Sequence, residues 1–174
     1  MKIIVILLIL LPLVCFATPS KEYLFNYSIA QAIKADFDGY LVASIATIES
    51  NWTPPAFNPD GSIGLFQVQC GTARGMKFRG TCKQLFDYKI NTKYGIQYLK
   101  TQVEKYGFEQ GIASYQSGRP YICQSTKQKR IYKCKTGELI NRKYVDDVLR
   151  VYNRLVTEKS YEYPEWHWSN FTPL

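Results

Sequence analysis

Apolar positions in the first half of the chain fall at helical spacing and then stop abruptly. In KEYLFNYSIAQAIKA (Lys21 to Ala35), Leu24, Tyr27, Ile29, Ala32 and Ile33 recur at loosely helical intervals, which predicts a helix with one apolar face. Asp36 or Asp38 can cap the next segment, where Leu41, Ile45 and Ile48 stand at i, i+4 and i+7 within the nearly unbroken apolar run LVASIATI. A helix apolar on almost every side must be enclosed by others. This segment is therefore the expected central helix, and Glu49 stands at its end.

The pattern changes character beyond Glu49. NWTPPAFNPDGS (Asn51 to Ser62) contains Pro54, Pro55, Pro59 and the turn-forming pair Asp60-Gly61, which excludes helix and predicts an irregular or hairpin-like excursion. Asp87 then caps a segment in which Ile90, Tyr94, Tyr98 and Gly95, Leu99, Val103 form adjacent helical stripes, and Gly107 ends it. A short helix from Glu109 to Tyr115, a long loop from Gly118 to Gly137 and a helix from Leu139 to about Thr157 complete a mainly α pattern. No internal repeat or low-complexity tract interrupts it.

The two ends follow other rules. Lys2 precedes an apolar stretch from Ile3 to Leu13, and Cys15-Phe16-Ala17 offers small residues before a cut after Ala17, as in a secretory leader. A spanning helix needs roughly 20 apolar residues and Pro12 interrupts this one, so a retained membrane anchor is the weaker alternative. The expected organisation is a leader at 1–17, one domain at 18–157 and an aromatic tail at 158–174. With 174 residues, 46% of them hydrophobic, the chain suffices for one core and is short for two domains. The tail carries Tyr161, Tyr163, Trp166, Trp168 and Phe171, which can pack back on the domain or dock on glycan or a partner.

Export changes the meaning of the cysteines. Removal of the leader leaves Cys70, Cys82, Cys123 and Cys134, an even number suited to two disulfides in an oxidising compartment, with sequential pairing the chosen connectivity among three. Each such loop contributes roughly 3 kcal/mol in the chain-entropy model. No CxxC spacing is present and His167 is the sole histidine, so no metal and no cofactor is expected. The same scarcity argues against Ser–His or Cys–His nucleophiles. The 22 basic residues against 14 acidic ones favour anionic surfaces, and for an exported protein these are cell wall or anionic lipid rather than nucleic acid. The densest basic stretch, KQKRIYKCK (Lys127 to Lys135), falls inside the second expected disulfide loop.

Glu49 is the candidate for chemistry. A glycosidic oxygen leaves poorly unless protonated, and a solvated glutamate, with a pKa of about 4.3, is already ionised at neutral pH. Burial beside apolar neighbours raises that pKa toward the working range and makes the carboxyl a general acid. The bland alternative is a solvated residue where the helix exits. Asp60 is the nearest downstream acid, but its Asp-Gly turn makes it a weak second carboxylate.

In order along the chain stand ESNW, GLFQV (Gly64 to Val68), Thr72-Ala73, LFDYKINTKYGIQYL (Leu85 to Leu99), ASYQSG (Ala113 to Gly118) and Tyr144-Val145. This series, with Gln67 eighteen positions after Glu49, resembles the lytic transglycosylases of the soluble-transglycosylase (SLT) type, most of all the small single-domain ones of secretion or conjugation systems and phage virions. The resemblance covers about Asp38 to Leu155. It implies a lysozyme-like α fold, akin to goose-type lysozyme, whose groove holds peptidoglycan strands.

It also implies roles. Glu49 matches the catalytic glutamate that protonates the oxygen between N-acetylmuramic acid and N-acetylglucosamine and then helps the muramic C6 hydroxyl attack C1, leaving a 1,6-anhydro end. Ser50, Asn58, Phe66, Gln67, Tyr115, Gln116 and Tyr144 match positions that line or bind substrate in the family. Gln67 is the amide of its GLMQ motif, and Tyr144 matches a tyrosine close to the glutamate. Three residues depart from the pattern: Phe66 replaces Met, Gln116 replaces Asn and Asn58 replaces Ser. The expected protein is a periplasmic or secreted monomer acting on peptidoglycan, with components of a secretion, conjugation or phage machine as partners. A hydrolytic lysozyme of related fold and a non-catalytic glycan-binding assembly factor are the alternatives.

Overall fold

In the computed structural model, which describes residues 18–127, 129 and 135–159, Asp38 starts the central helix. Its carboxylate accepts from the backbone N–H groups of Tyr40 and Leu41, satisfying donors that a helix start leaves open. The helix, α2 (Gly39–Ser50), follows α1 (Lys21–Lys34) and buries Leu41 through Ala46 without a break. That run is the reason it is central: a helix with no polar face gains nothing from a surface position. Ser44 and Thr47 do not breach the apolar surroundings, since each hydroxyl donates back to the carbonyl four residues earlier.

After α2 come the two-residue strands β1 (Ser62–Ile63) and β2 (Val68–Gln69), paired antiparallel with Ser62 opposite Gln69 and Ile63 opposite Val68. The proline-rich stretch before them is irregular, as expected, and adds one isolated bridge from Phe57 to Ile63. The chain continues through α3 (Cys70–Gly75), a 3-10 turn at Cys82–Phe86, α4 (Tyr88–Tyr106), α5 (Phe108–Ser117) and α6 (Arg142–Lys159). Among the helices, α1 packs on α2, α2 on α6, α6 on α5, α5 on α4 and α4 on α1, so the five close into a ring. Leu24, Ile45, Leu65, Leu99, Ile112 and Val148 fill its interior, each wholly buried. Burying a side chain of this size contributes about 1.5–3 kcal/mol apiece.

Two expectations from the sequence shift. The final helix begins at Arg142 rather than Leu139, because Leu139 forms an isolated antiparallel bridge with Ile122. That bridge also gives structure to what reads as a plain loop between Gly118 and Gly137. One paired residue on each side has no periodicity to detect. The Cys70–Cys82 disulfide is present. Cys123 is buried and disulfide-bonded, while its expected partner Cys134 lies outside the described residues. The leader at 1–17, His167 and the aromatic residues of the tail also lie outside them. Among the described residues no helix is long and apolar enough to cross a membrane.

Candidate active site

Glu49 is placed by the way its helix ends. Asn51 caps α2 in the left-handed region (φ 48°, ψ 43°), and Trp52 follows at φ 63°. Two successive non-glycine residues there are uncommon and persist only where surroundings hold them. Trp52 supplies the hold: its indole N–H donates to Thr47 Oγ1 at 3.1 Å and its ring meets Phe25 edge-on. The chain thus turns sharply one residue past Glu49 and Ser50, leaving the glutamate on the last turn of a buried helix.

The partner of Glu49 comes from the neighbouring helix in the ring, α6, distant only in sequence. Tyr144, in the first turn of α6, donates its hydroxyl to Glu49 Oε1 at 2.6 Å. Burial is the main influence on the carboxyl and raises its pKa to about 7; the Tyr144 bond opposes the rise and the negative charge of Asp60 adds to it. The Tyr144 phenol is itself held well above its ordinary pKa, first by burial and then by Glu49, so it remains a donor. Near neutral pH this pair is a carboxylic acid with a fixed hydrogen-bond donor.

The facing wall is the segment from Gly64 to Gln67. Gly64 has a positive φ of 77°, and a Cβ there would meet the Asn91 amide at 2.5 Å. Asn91, wholly buried on α4, threads this segment into place: Oδ1 accepts from Phe66 N–H at 2.7 Å, while Nδ2 donates to the carbonyls of Ile63 and Leu85 at 2.8 and 2.9 Å. Tyr115 donates its hydroxyl to the Phe66 carbonyl at 2.7 Å, so both backbone groups of Phe66 are fixed. The Phe66 ring lies against Gly95, where a Cβ would come within 2.4 Å of its Cγ. Ser50 ties this wall to α2, donating to the Leu65 carbonyl at 2.8 Å.

Gln67 is bound into the same wall. Its Nε2 donates to the carbonyls of Gly64 and Ala56, and its Oε1 accepts from Asn58 Nδ2 at 2.8 Å. Gln116 is more remote in its bonding: its Oε1 accepts from Asn141 Nδ2 at 3.0 Å, and the same Asn141 amide donates to the Ala113 carbonyl. Asp60 is engaged within its own turn by the Ser62 N–H and hydroxyl. Hydrogen bonds therefore link Glu49 to Tyr144, Asn58 to Gln67, and Tyr115 to Phe66, while Gln116 joins α5 to the start of α6.

The sequence reading missed Asn91, Gly95 as a packing site, and Asn141. Asn91 had a signal: it is an amide on the inward face of α4, one turn before Gly95 and two before Leu99. Asn141 precedes the helix and has none.

Residues 26–136 match the family model described as the transglycosylase SLT domain. Over 75 residues, 43% of this chain, the sequence is 36% identical to membrane-bound lytic murein transglycosylase F of Vibrio cholerae serotype O1. The match takes in only 13% of that relative's length. In fold the chain is similar to an inactive Glu-to-Gln mutant of the lytic transglycosylase Slt from Pseudomonas aeruginosa, with a TM-score of 0.59, 19% identity, and 86% of this chain and 27% of that one covered. It is also similar to the 70-kDa soluble lytic transglycosylase from Escherichia coli, with a TM-score of 0.60, 20% identity, and 76% and 24% covered. At such identities the likeness speaks for the mainly α, lysozyme-like fold. The family match runs from within α1 through the site wall and α4 to beyond α5, more than half of the chain, and by it this chain belongs to the transglycosylase SLT domain family.

Proposed function

We propose that the protein is a peptidoglycan lytic transglycosylase that cleaves the β-1,4 bond between N-acetylmuramic acid and N-acetylglucosamine and leaves 1,6-anhydromuramic ends. The observation that carries this reading is Glu49, with its pKa raised to about 7 and Tyr144 at 2.6 Å. A group of that kind is protonated where cleavage needs an acid and ionised after it has given the proton away.

The steps follow from one carboxyl. Glu49 transfers its proton to the glycosidic oxygen as the C1–O bond breaks, and N-acetylglucosamine leaves as an alcohol. Positive character at C1 is met by the muramic acetamido oxygen, a substrate-assisted variant of glycoside cleavage. Glu49, now a carboxylate, takes the proton of the C6 hydroxyl as that oxygen bonds to C1. No water is consumed. Asp60 is held by Ser62, which favours one carboxyl over a pair. Tyr144 steadies the Glu49 carboxylate formed after the first step. Phe66 is wholly buried against Gly95 and braces the wall from behind rather than meeting the sugar itself, with Ser50, Gln67, Asn58 and Tyr115 holding its segment, and Gln116 contributes a subsite at the end of α5. A leader at 1–17 delivers the domain at 18–157 to the periplasm or outside the cell, where it acts as a monomer, alone or with an envelope-spanning machine.

Replacing Glu49 with Gln tests the assignment. The variant is expected to sediment with insoluble peptidoglycan as the parent does and to release no soluble fragments. Undiminished release would overturn the role given to Glu49.

A further inference from the structure

From Gly61 to Phe86 the chain contains no acidic residue, and Arg74, Lys77, Arg79 and Lys83 all stand exposed there. None of the four joins an ion pair among the described residues. The Cys70–Cys82 disulfide closes Arg74, Lys77 and Arg79 into a lobe that Lys83 adjoins, and Phe78 anchors it on Tyr94 of α4 with ring centroids 5.1 Å apart. The positive groups are thus held together on a pinned segment rather than scattered along a loose one.

Both ends of the lobe are joined to the site wall. At its start Cys70 follows β2, whose Gln69 donates to the Asp60 carbonyl. At its far end the Phe86 ring meets Phe57 at 6.3 Å, and the next residue, Asn58, donates to Gln67. The acids that bound the stretch, Asp60 and Asp87, are not in ion pairs with it: their hydrogen bonds go to Ser62 and to the N–H groups of Lys89 and Ile90. A cluster of like charges without counter-charge repels itself and attracts anions.

We infer that this disulfide-closed lobe binds the carboxylates of the peptide substituents on the glycan, so that peptide-bearing strands are held beside Glu49. The inference rests on the glycan reading above. The sugar backbone of such strands is an acetamido polymer without charge of its own, and its anionic groups are those of the lactyl-linked peptides. A lobe fixed to the site wall at both ends meets the substituents of a strand bound at the site.

The test uses two substrates of one length distribution, peptide-bearing glycan strands and the same strands stripped by an amidase, with the lactyl carboxyls that this exposes capped as primary amides. The parent protein is expected to show about a tenfold higher kcat/KM on peptide-bearing strands at low salt, shrinking as salt screens the charges. A variant with Arg74→Gln, Lys77→Gln, Arg79→Gln and Lys83→Gln is expected to cut both substrates alike, with its rate on stripped strands unchanged. The double variant Lys77→Gln, Arg79→Gln should fall between the two. A peptide preference that survives neutralisation, or no preference in the parent, would overturn the inference while cleavage of stripped strands left the glycan reading standing. A lobe made for phosphate polymers would lose salt-sensitive binding to such a polymer on neutralisation while cutting both strands equally, which also overturns it. Failure of the parent to cut either substrate would instead count against the glycan reading.

Discussion

Tyr144 donates its hydroxyl to Glu49 Oε1 at 2.6 Å across a separation of 95 residues, joining the end of α2 to the start of α6. A second bond of the same kind holds the other end of α2: Tyr152, two turns further along α6, donates to Asp38 Oδ2 at 2.8 Å, and Asp38 caps α2. Helix α2 is therefore fastened to α6 at both of its ends by a carboxyl and a phenol. Only the Glu49 end opens toward a site. Asp38 is fully occupied by the N–H groups of Tyr40 and Leu41 and by Tyr152, with its pKa raised chiefly by burial.

Removing the Tyr144 hydroxyl separates its two effects on Glu49. The bond stabilises the carboxylate and so lowers the pKa that burial raises. Tyr144→Phe is expected to push the alkaline limb of the pH–rate profile above its parental position near 7 and to lower kcat by about tenfold, the loss of one hydrogen bond to a charged group. Rates measured from pH 5 to 9 check both; a limb moving to lower pH would contradict the account.

Stability should carry the signature of the buried acid. The Glu49 pKa is higher folded than unfolded, so between about 4.5 and 7 the native state holds more protons and stability falls as pH rises. Glu49→Gln lacks this ionisation. Its free energy of unfolding should lie near the parent's at pH 4 and above it at pH 8 by about 3 kcal/mol, with a correspondingly higher melting temperature there. Thermal melts across that range decide it, and a gap independent of pH would contradict the shift.

The site wall depends on α4. Asn91→Ala leaves the Phe66 N–H and the Ile63 and Leu85 carbonyls without their partner, and is expected to destabilise the fold by about 3 kcal/mol. Gly95→Ala forces a methyl group against the Phe66 ring and should cost about 1–3 kcal/mol. Both should lower kcat more than KM changes, because they displace the wall rather than the acid. Denaturant unfolding with steady-state kinetics tests them, and parental kcat in either variant would mean that the wall tolerates movement.

Opening the Cys70–Cys82 disulfide frees a loop with a sequence separation of 12. Cys70→Ser with Cys82→Ser should lower stability by about 3 kcal/mol in the chain-entropy model. In reductant the Cys123 disulfide opens in both proteins, so parent and variant should then reach the same urea midpoint, the parent having lost the Cys70–Cys82 contribution as well.

What the sequence made legible, and what it did not, divides along physical lines. The enclosed α2, Glu49 at its end and the stripes of α4 follow from periodicity, because burial imposes it. The proline-rich break and the sequential Cys70–Cys82 pair follow from local chemistry. Asn91 showed only as an amide on the inward face of α4; its three bonds reach residues 6 to 28 positions away, which no local pattern records. The Ile122–Leu139 bridge was hidden for the same reason. Gln67 was legible as a site residue by resemblance, while its bonds to Gly64, Ala56 and Asn58 emerge only when the loop is folded.

The most direct measurement is mass spectrometry of the muropeptides released from purified peptidoglycan by the parent protein and by Glu49→Gln in parallel. The account predicts anhydromuropeptides, lighter by one water than the corresponding reducing-end products, from the parent and none from the variant. Reducing-end products from the parent would contradict attack by the C6 hydroxyl and make the protein a hydrolase, and identical products from both proteins would contradict the role of Glu49.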